Sequence, residues 1–230
     1  MFPATLFDYN GVLVDDEALH LEAFRDALAP LGIELTSEAY VERYLGFDDR
    51  GAFEAILKDA GRAPTEDDIE RLIAEKEPLY RARASVSLPT FAGAAELVAR
   101  RAAVGPVVIV SGALRDEIAL GLRVLGVTSK VDHIVSAEDT LASKPDPEGY
   151  ELGLEYLASR LDADIAARAL VIEDSLAGVQ AAKAAGLPCA AVTHSYDAAA
   201  LRAAGADLVV ATLQELTDER LIETFEKLYG

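Results

Sequence analysis

A chain of 230 residues with 51% hydrophobic content is long enough for one sizeable core, or for a core and a smaller inserted body. Its 21 Lys and Arg stand against 40 Asp and Glu, a net charge of −19, which repels nucleic-acid backbones and anionic membranes. Charged residues make up 27%, with 16 Gly, 9 Pro and no biased stretch, which excludes disorder, collagen-like repeats and low-complexity tails.

The chain opens on Met1-Phe2-Pro3-Ala4, with no basic run or cleavage pattern before an apolar strand at Thr5–Phe7. From Asp16 to about Leu88 the pattern is helical, over 18–31, 37–45, 50–60 and 66–84, with Thr36 or Ser37 and Thr65 as N-caps. Gly32, Gly46 and Gly61 punctuate these segments. Strands are then expected at Val107–Val110, His133–Val135, 170–172, Cys189–Val192 and 207–210. Between them helices are expected at 92–102, 115–125, 148–159, 176–185, 197–203 and 218–228. Gly186 and Gly205 read as helix stops.

Alternating apolar strands and amphipathic helices predict an α/β fold with a parallel sheet covered on both faces. The all-helical stretch predicts an insertion, with residues 1–15 and 89–230 forming the core domain and 16–88 the cap. A ligand cleft is expected between the two. The lone Cys189 sits in an apolar run and reads as a small buried hydrophobe. No run approaches the ~20 apolar residues of a membrane span. A soluble, cytoplasmic protein is expected, with a small-molecule ligand, no nucleic-acid or membrane partner, and a monomeric or homodimeric state.

Four short segments carry candidate chemistry. The first strand ends in Asp8-Tyr9-Asn10-Gly11, which places an acid where open α/β sheets bind ligands; a plain Asn-Gly turn explains it as well. Ser111-Gly112 follows the second strand and offers a hydroxyl and backbone N–H groups to a phosphoryl oxygen, or is an ordinary turn. Lys144 lies in the stiffened loop Ser143-Lys144-Pro145-Asp146-Pro147, placed to neutralise phosphate or to bridge carboxylates. Glu173-Asp174 closes a later strand, and two adjacent carboxylates there call for a cation. Mg²⁺ typically takes one or two protein carboxylates plus water and phosphate; Asp8 and Asp174 suit it, with Glu173 direct or through water. Each segment alone is ambiguous. Together they are the parts of phosphoryl transfer through an aspartyl-phosphate.

These segments resemble, in order, the four motifs of the haloacid dehalogenase superfamily, across residues 5 to 186. The run Glu-Asp-Ser-Leu-Ala-Gly-Val-Gln-Ala-Ala-Lys-Ala-Ala-Gly from Glu173 to Gly186 is the most specific. The helical insertion is similar to the small cap of the β-phosphoglucomutase and phosphoglycolate phosphatase relatives. The resemblance implies a Rossmann-like three-layer core and a Mg²⁺-dependent phosphatase acting on a small phosphorylated metabolite. It implies Asp8 as nucleophile, Ser111, Gly112 and Lys144 at the phosphate, and Asp8, Asp174 and Glu173 at Mg²⁺ with the backbone carbonyl of Asn10. A sugar-phosphate mutase, or a phosphoester-binding protein with impaired turnover, are the alternatives.

One position departs from the family pattern. Asn10 stands where phosphatases and mutases of this kind carry an acid/base aspartate, and losing such a group typically costs ~10²–10⁴-fold. Asp15, Asp16, Glu17 and His20 are the nearest replacement proton carriers. Substrates with undemanding leaving groups are another solution. Asn-Gly is also a deamidation-prone pair. In the cap, His20 matches a histidine frequent in the relatives, and Arg50 and Arg43 flank a Gly46-containing loop suited to reading the substrate's far end; structural and solvated roles explain them equally. No lysine-arginine pair matches the mutases' second-phosphate loop. Dehalogenases lack the aspartate but work without Mg²⁺, which the Glu173-Asp174 pair opposes. Phosphonoacetaldehyde hydrolases use a cap lysine, and Lys58 does not obviously match it.

Overall fold

The computed structural model describes all 230 residues. In chain order the elements are β1 (Thr5–Phe7), α1 (Glu17–Leu28), α2 (Ser37–Arg43), α3 (Asp49–Asp59), α4 (Glu66–Val86) and α5 (Ala94–Ala102). Then come β2 (Val107–Val110), α6 (Arg115–Val124), β3 (His133–Val135), α7 (Glu148–Ala158), α8 (Ala163–Ala166) and β4 (Leu170–Glu173). The chain ends through α9 (Leu176–Ala184), β5 (Cys189–Val192), α10 (Ala198–Ala204), β6 (Leu208–Val210) and α11 (Asp218–Tyr229). Two compact units result: Met1–Asp15 with Thr90–Gly230, and Asp16–Pro89.

The first unit is a six-stranded sheet in the order β3-β2-β1-β4-β5-β6, and every pairing is parallel. The chain works outward from β1 on one side, then returns to β1's other edge with β4. The strand order therefore reverses between β1 and β4, and the carboxyl edge at such a point is where open α/β sheets place ligands. The α/β parallel-sheet expectation is correct. The four residues of β2 and the four of β5 are all buried, the state that uniformly apolar runs require of a parallel sheet. Leu6, Val108, Val110 and Val171 share one buried cluster with Tyr150 and Leu157 of α7 and Val179 and Ala182 of α9. Burying each Leu or Val of this set stabilises the fold by roughly 1.5–3 kcal/mol. Cys189 is buried and unpaired in that same cluster.

At the amino end of β1 the burial of Arg101 is a departure from ordinary helix patterning. It is 1% exposed, and its Nε donates to Thr5 Oγ1 at 2.8 Å and Nη2 to the Phe2 carbonyl at 2.6 Å. The cation thus ties α5 to the start of β1.

The second unit is helical throughout, built on its own apolar cluster of Phe24, Leu28, Tyr40, Phe53, Ile56 and Leu72, among others. Thr36 and Thr65 cap α2 and α4 as expected, Thr65 in a reciprocal box with Asp68. Differences from the predicted bounds have local causes. Asp48 accepts the Gly51 N–H at 2.8 Å, so α3 starts at Asp49, a residue earlier than its periodicity suggests. After Leu28 the chain tightens into a 3-10 turn at Ala29–Leu31 containing Pro30, and ends on Gly32 at φ 68°. Asp207 spends its carboxylate on the Cys189 N–H and Lys183 Nζ, both at 2.8 Å, and β6 begins after it. The four-residue α8 is too short to leave a periodic signal.

Candidate active site

Three of the four chemistry-bearing segments lie where a strand ends. Asp8 follows β1, Ser111 follows β2, and Glu173 and Asp174 close β4, so three adjacent strands deliver them to one edge. Lys144 arrives from the loop after β3. That loop is braced by Glu148, whose Oε2 accepts the N–H groups of Leu141 and Ala142 at 2.8 and 2.7 Å. Tyr9, fully buried, donates its hydroxyl to the Glu117 carbonyl of α6 at 3.0 Å. Only a glycine at 121 leaves room, because a Cβ there would lie 2.0 Å from the Tyr9 hydroxyl.

At the centre, Lys144 Nζ donates to Asp8 Oδ1 at 2.9 Å, to Glu173 Oε1 at 2.7 Å and to the Val110 carbonyl at 3.1 Å. Burial works against the ammonium, but the charges of Asp8 and Glu173 outweigh it and hold Lys144 above the ordinary lysine value. Glu173 is the most heavily bonded group. Oε1 also accepts the Tyr150 hydroxyl at 2.7 Å, and Oε2 accepts from Asp174 N, Ser175 N and Ser175 Oγ at 3.1, 3.2 and 3.0 Å. Burial favours its protonation, yet Lys144 and these bonds bring its carboxyl below the usual value.

The other two carboxyls go the opposite way. Asp8 is pushed up to about 7, by burial first and by the Glu173 charge, with Lys144 opposing. Asp174 is raised well above the usual range by burial and by the charges of Glu173 and Asp8. Three carboxyl groups stand against one lysine, so full ionisation of the cluster leaves surplus negative charge. One oxygen from each of Asp8, Glu173 and Asp174 lies within 4.8 Å of the others. An all-oxygen, net-anionic donor set suits a hard divalent cation such as Mg²⁺.

Ser111 is 6% exposed; its hydroxyl donates to Asn10 Oδ1 at 3.2 Å and accepts the Ala113 N–H at 3.1 Å. Gly112 follows it as an exposed residue of the bend. Gly11, at φ 73°, donates its N–H to the Val14 carbonyl at 2.9 Å. The nitrogen that would attack the Asn10 amide during deamidation is thereby engaged, so the turn protects the amide.

The structure thus joins Asp8, Asn10, Ser111, Lys144, Glu173 and Asp174 within the first unit. His20 and Arg50 lie in the second. His20 is 9% exposed, with Nδ1 2.8 Å from Lys76 Nζ, Nε2 3.3 Å from Asp16 Oδ2 and its ring stacked on Tyr80. Asp16 also accepts the Tyr80 hydroxyl. Arg50 is half-exposed and pairs with Glu66, and Arg43 pairs with Asp59. Lys58 is exposed and paired with Glu54.

Several residues escape sequence reasoning. Lys76 is fully buried on α4, bonded to Asp49 and lying over the Phe24 ring at 4.5 Å. A lysine in the middle of a charged helix gives no sign of burial. Tyr150, Ser175, His194 and Ser195 touch the site or its supports. For the last two the available signal is position, since they follow a buried strand.

Comparison with known proteins shows the family. The profile of the haloacid dehalogenase-like hydrolases matches residues 5–192. The chain is 31% identical over 218 residues to validoxylamine A 7'-phosphate phosphatase of Streptomyces hygroscopicus subsp. limoneus, covering 94% of this chain and 96% of that one. It is 29% identical to the phosphorylated carbohydrates phosphatase of Thermotoga maritima, covering 90% and 93%. The crystal structure of CbbY from Rhodobacter sphaeroides in complex with phosphate superposes with a TM-score of 0.80 at 27% identity, covering 94% and 96%.

Proposed function

Since the chain belongs to the haloacid dehalogenase-like hydrolases, we propose that it is a Mg²⁺-dependent phosphatase that hydrolyses a small phosphate monoester through an aspartyl-phosphate on Asp8. The observation that carries this reading is the bridge of Lys144 Nζ between Asp8 Oδ1 and Glu173 Oε1 beside Asp174. Relatives named for phosphorylated carbohydrates and for a 7'-phosphate support a polyhydroxylated substrate with one phosphate.

Asp8 and Asp174, with the Asn10 carbonyl and Glu173 through water, would hold the cation, which supplies charge neutralisation at the phosphoryl group when bound. Lys144 keeps Asp8 oriented and adds a fixed positive charge for a phosphoryl oxygen. Ser111 Oγ and the Gly112 N–H receive the equatorial oxygens. A carboxylate oxygen of Asp8 forms the new O–P bond as the ester oxygen leaves with its electron pair. Water then adds to the acyl-phosphate, returning Asp8 and releasing inorganic phosphate. Asn10 can donate hydrogen bonds to the departing oxygen, but its amide exchanges no proton near neutral pH. The leaving oxygen therefore takes its proton from solvent, which favours alcohols of low pKa.

The test is phosphate release from a panel of phosphomonoesters with and without Mg²⁺, for the chain as it stands, Asn10→Asp and Asp8→Asn. Mg²⁺-dependent release by the first two and none by Asp8→Asn is the expected result. Turnover by Asp8→Asn rules out the covalent route. Turnover by Asn10→Asp alone identifies the chain as a phosphoester-binding protein rather than a working phosphatase.

A further inference from the structure

Outside the four motif segments, the loop after β5 reaches back to the same edge of the sheet. His194 Nδ1 lies 2.7 Å from the Gly11 carbonyl oxygen. A carbonyl only accepts, so Nδ1 carries the hydrogen. The imidazole also lies flat on Phe91, with ring centroids 3.8 Å apart and an interplanar angle of 11°. Phe91 in turn donates its N–H to the Leu13 carbonyl at 3.1 Å. His194 is therefore fastened twice to the turn that follows Asp8.

The next residue grips the opposite partner. Ser195 Oγ donates to Asp174 Oδ2, and Asp174 is 4% exposed. That carboxylate rests directly against Gly11: a Cβ on Gly11 would fall 2.1 Å from Oδ2 and 2.9 Å from Oδ1. One dipeptide thus holds the Gly11 peptide with one side chain and the carboxylate packed upon it with the other.

We infer that His194 and Ser195 are positioning residues for the cation site, setting Asp174 and the Gly11 turn next to the Asn10 carbonyl in fixed register. The inference rests on the Mg²⁺ reading above. Mg²⁺ demands near-ideal octahedral geometry, and an Asp174 carboxylate crowded by Glu173 and Asp8 would otherwise rotate away from them. The Ser195 hydroxyl occupies one lone pair of Oδ2 and stops that rotation. Partners that orient ligands in this way are typically worth 10–100-fold in metal affinity.

The experiment is a calorimetric Mg²⁺ titration of the full chain and of Ser195→Ala, Ser195→Thr and Ser195→Val, with thermal melting of each. Ser195→Ala and Ser195→Val are expected to weaken Mg²⁺ by about tenfold or more, and Ser195→Thr to stay within about threefold of the parent. The Thr and Val variants have nearly the same shape and differ in the hydroxyl, so they decide the matter even if the Ala variant fails to fold. His194→Phe keeps an aromatic ring for Phe91 but loses the N–H, and is expected to weaken Mg²⁺ severalfold. Lower melting temperatures with unchanged Mg²⁺ affinity would overturn the inference while leaving the phosphatase reading intact. A parent chain that binds no Mg²⁺ defeats the metal reading and the clamp together.

Discussion

At the scale of single residues, Asn10 sets the expected rate. Its Oδ1 accepts the Ser111 hydroxyl at 3.2 Å, a bond that a carboxylate oxygen accepts equally well. Asn10→Asp therefore fits the site without rearrangement and adds a group able to exchange a proton. We expect kcat with Mg²⁺ to rise by about 10²-fold or more for substrates with poor leaving groups, and far less for aryl phosphates. Equal gains across both classes would show that the proton is not the limiting element. The amide itself is expected to persist, because the Gly11 N–H is bonded to Val14; peptide mass analysis after prolonged incubation at neutral pH reads this directly. Gly11 matters at the same scale. Its positive φ and its contact with Asp174 make Gly11→Ala strained and sterically blocked, with loss of both stability and Mg²⁺ binding expected.

At the scale of elements, the helix after β4 begins on the site's own machinery. Ser175 caps α9 by accepting the Gly178 N–H at 2.9 Å while donating to Glu173. Gly178 must lack a side chain, since a Cβ there would lie 1.8 Å from Glu173 Oε1. Gly178→Ala is expected to displace Glu173, free Lys144 from one of its two carboxylates and depress activity more than it lowers the melting temperature. At the amino end of β1, Arg101 joins α5 to the strand. Arg101→Ala strands the Thr5 hydroxyl and the Phe2 carbonyl and opens a cavity, and an unfolding free energy lower by about 2–4 kcal/mol is expected in urea denaturation. A change under about 0.5 kcal/mol would mean that water replaces the guanidinium without cost.

At the scale of the whole molecule, the buried carboxyls make stability depend on pH. Asp8 sits at about 7 against an ordinary value of 3.8, so the folded chain binds more protons than the unfolded chain in that interval. Stability without metal then falls as pH rises from about 4 to 7, by up to about 1 kcal/mol per pH unit from this group. Asp174 acts in the same direction and Glu173 in the opposite one. The difference between the parent and Asp8→Asn reads Asp8 together with its coupling to Asp174 and Glu173, and the parent is expected to lose ground across that window. Mg²⁺ replaces the proton, so it should raise the melting temperature more at pH 8 than at pH 5.5. An increment that does not grow with pH contradicts the placement of the cation at these carboxyls.

The sheet, the helical run and the placing of Asp8, Ser111 and Glu173-Asp174 beside their strands were legible in the amino-acid order, because each depends on local information. Buried parallel strands must be apolar, caps such as Thr65 act within one turn, and chemistry at a strand's end stands next to the strand that carries it. No helix is long and apolar enough to cross a membrane, in keeping with the short apolar runs. Tertiary structure alone decided the rest. Glu173 and Asp174 are neighbours in sequence, yet one is drawn into bonds with Lys144 and Tyr150 while the other rests on Gly11 under Ser195. Arg50, offered for the substrate's far end or for a solvated face, is paired with Glu66, whereas Lys76, within a charged helix, is buried. Composition assigns a charge to each of these side chains, but the surroundings that determine its work come from segments tens to more than a hundred residues away, brought together only by the packing of the chain.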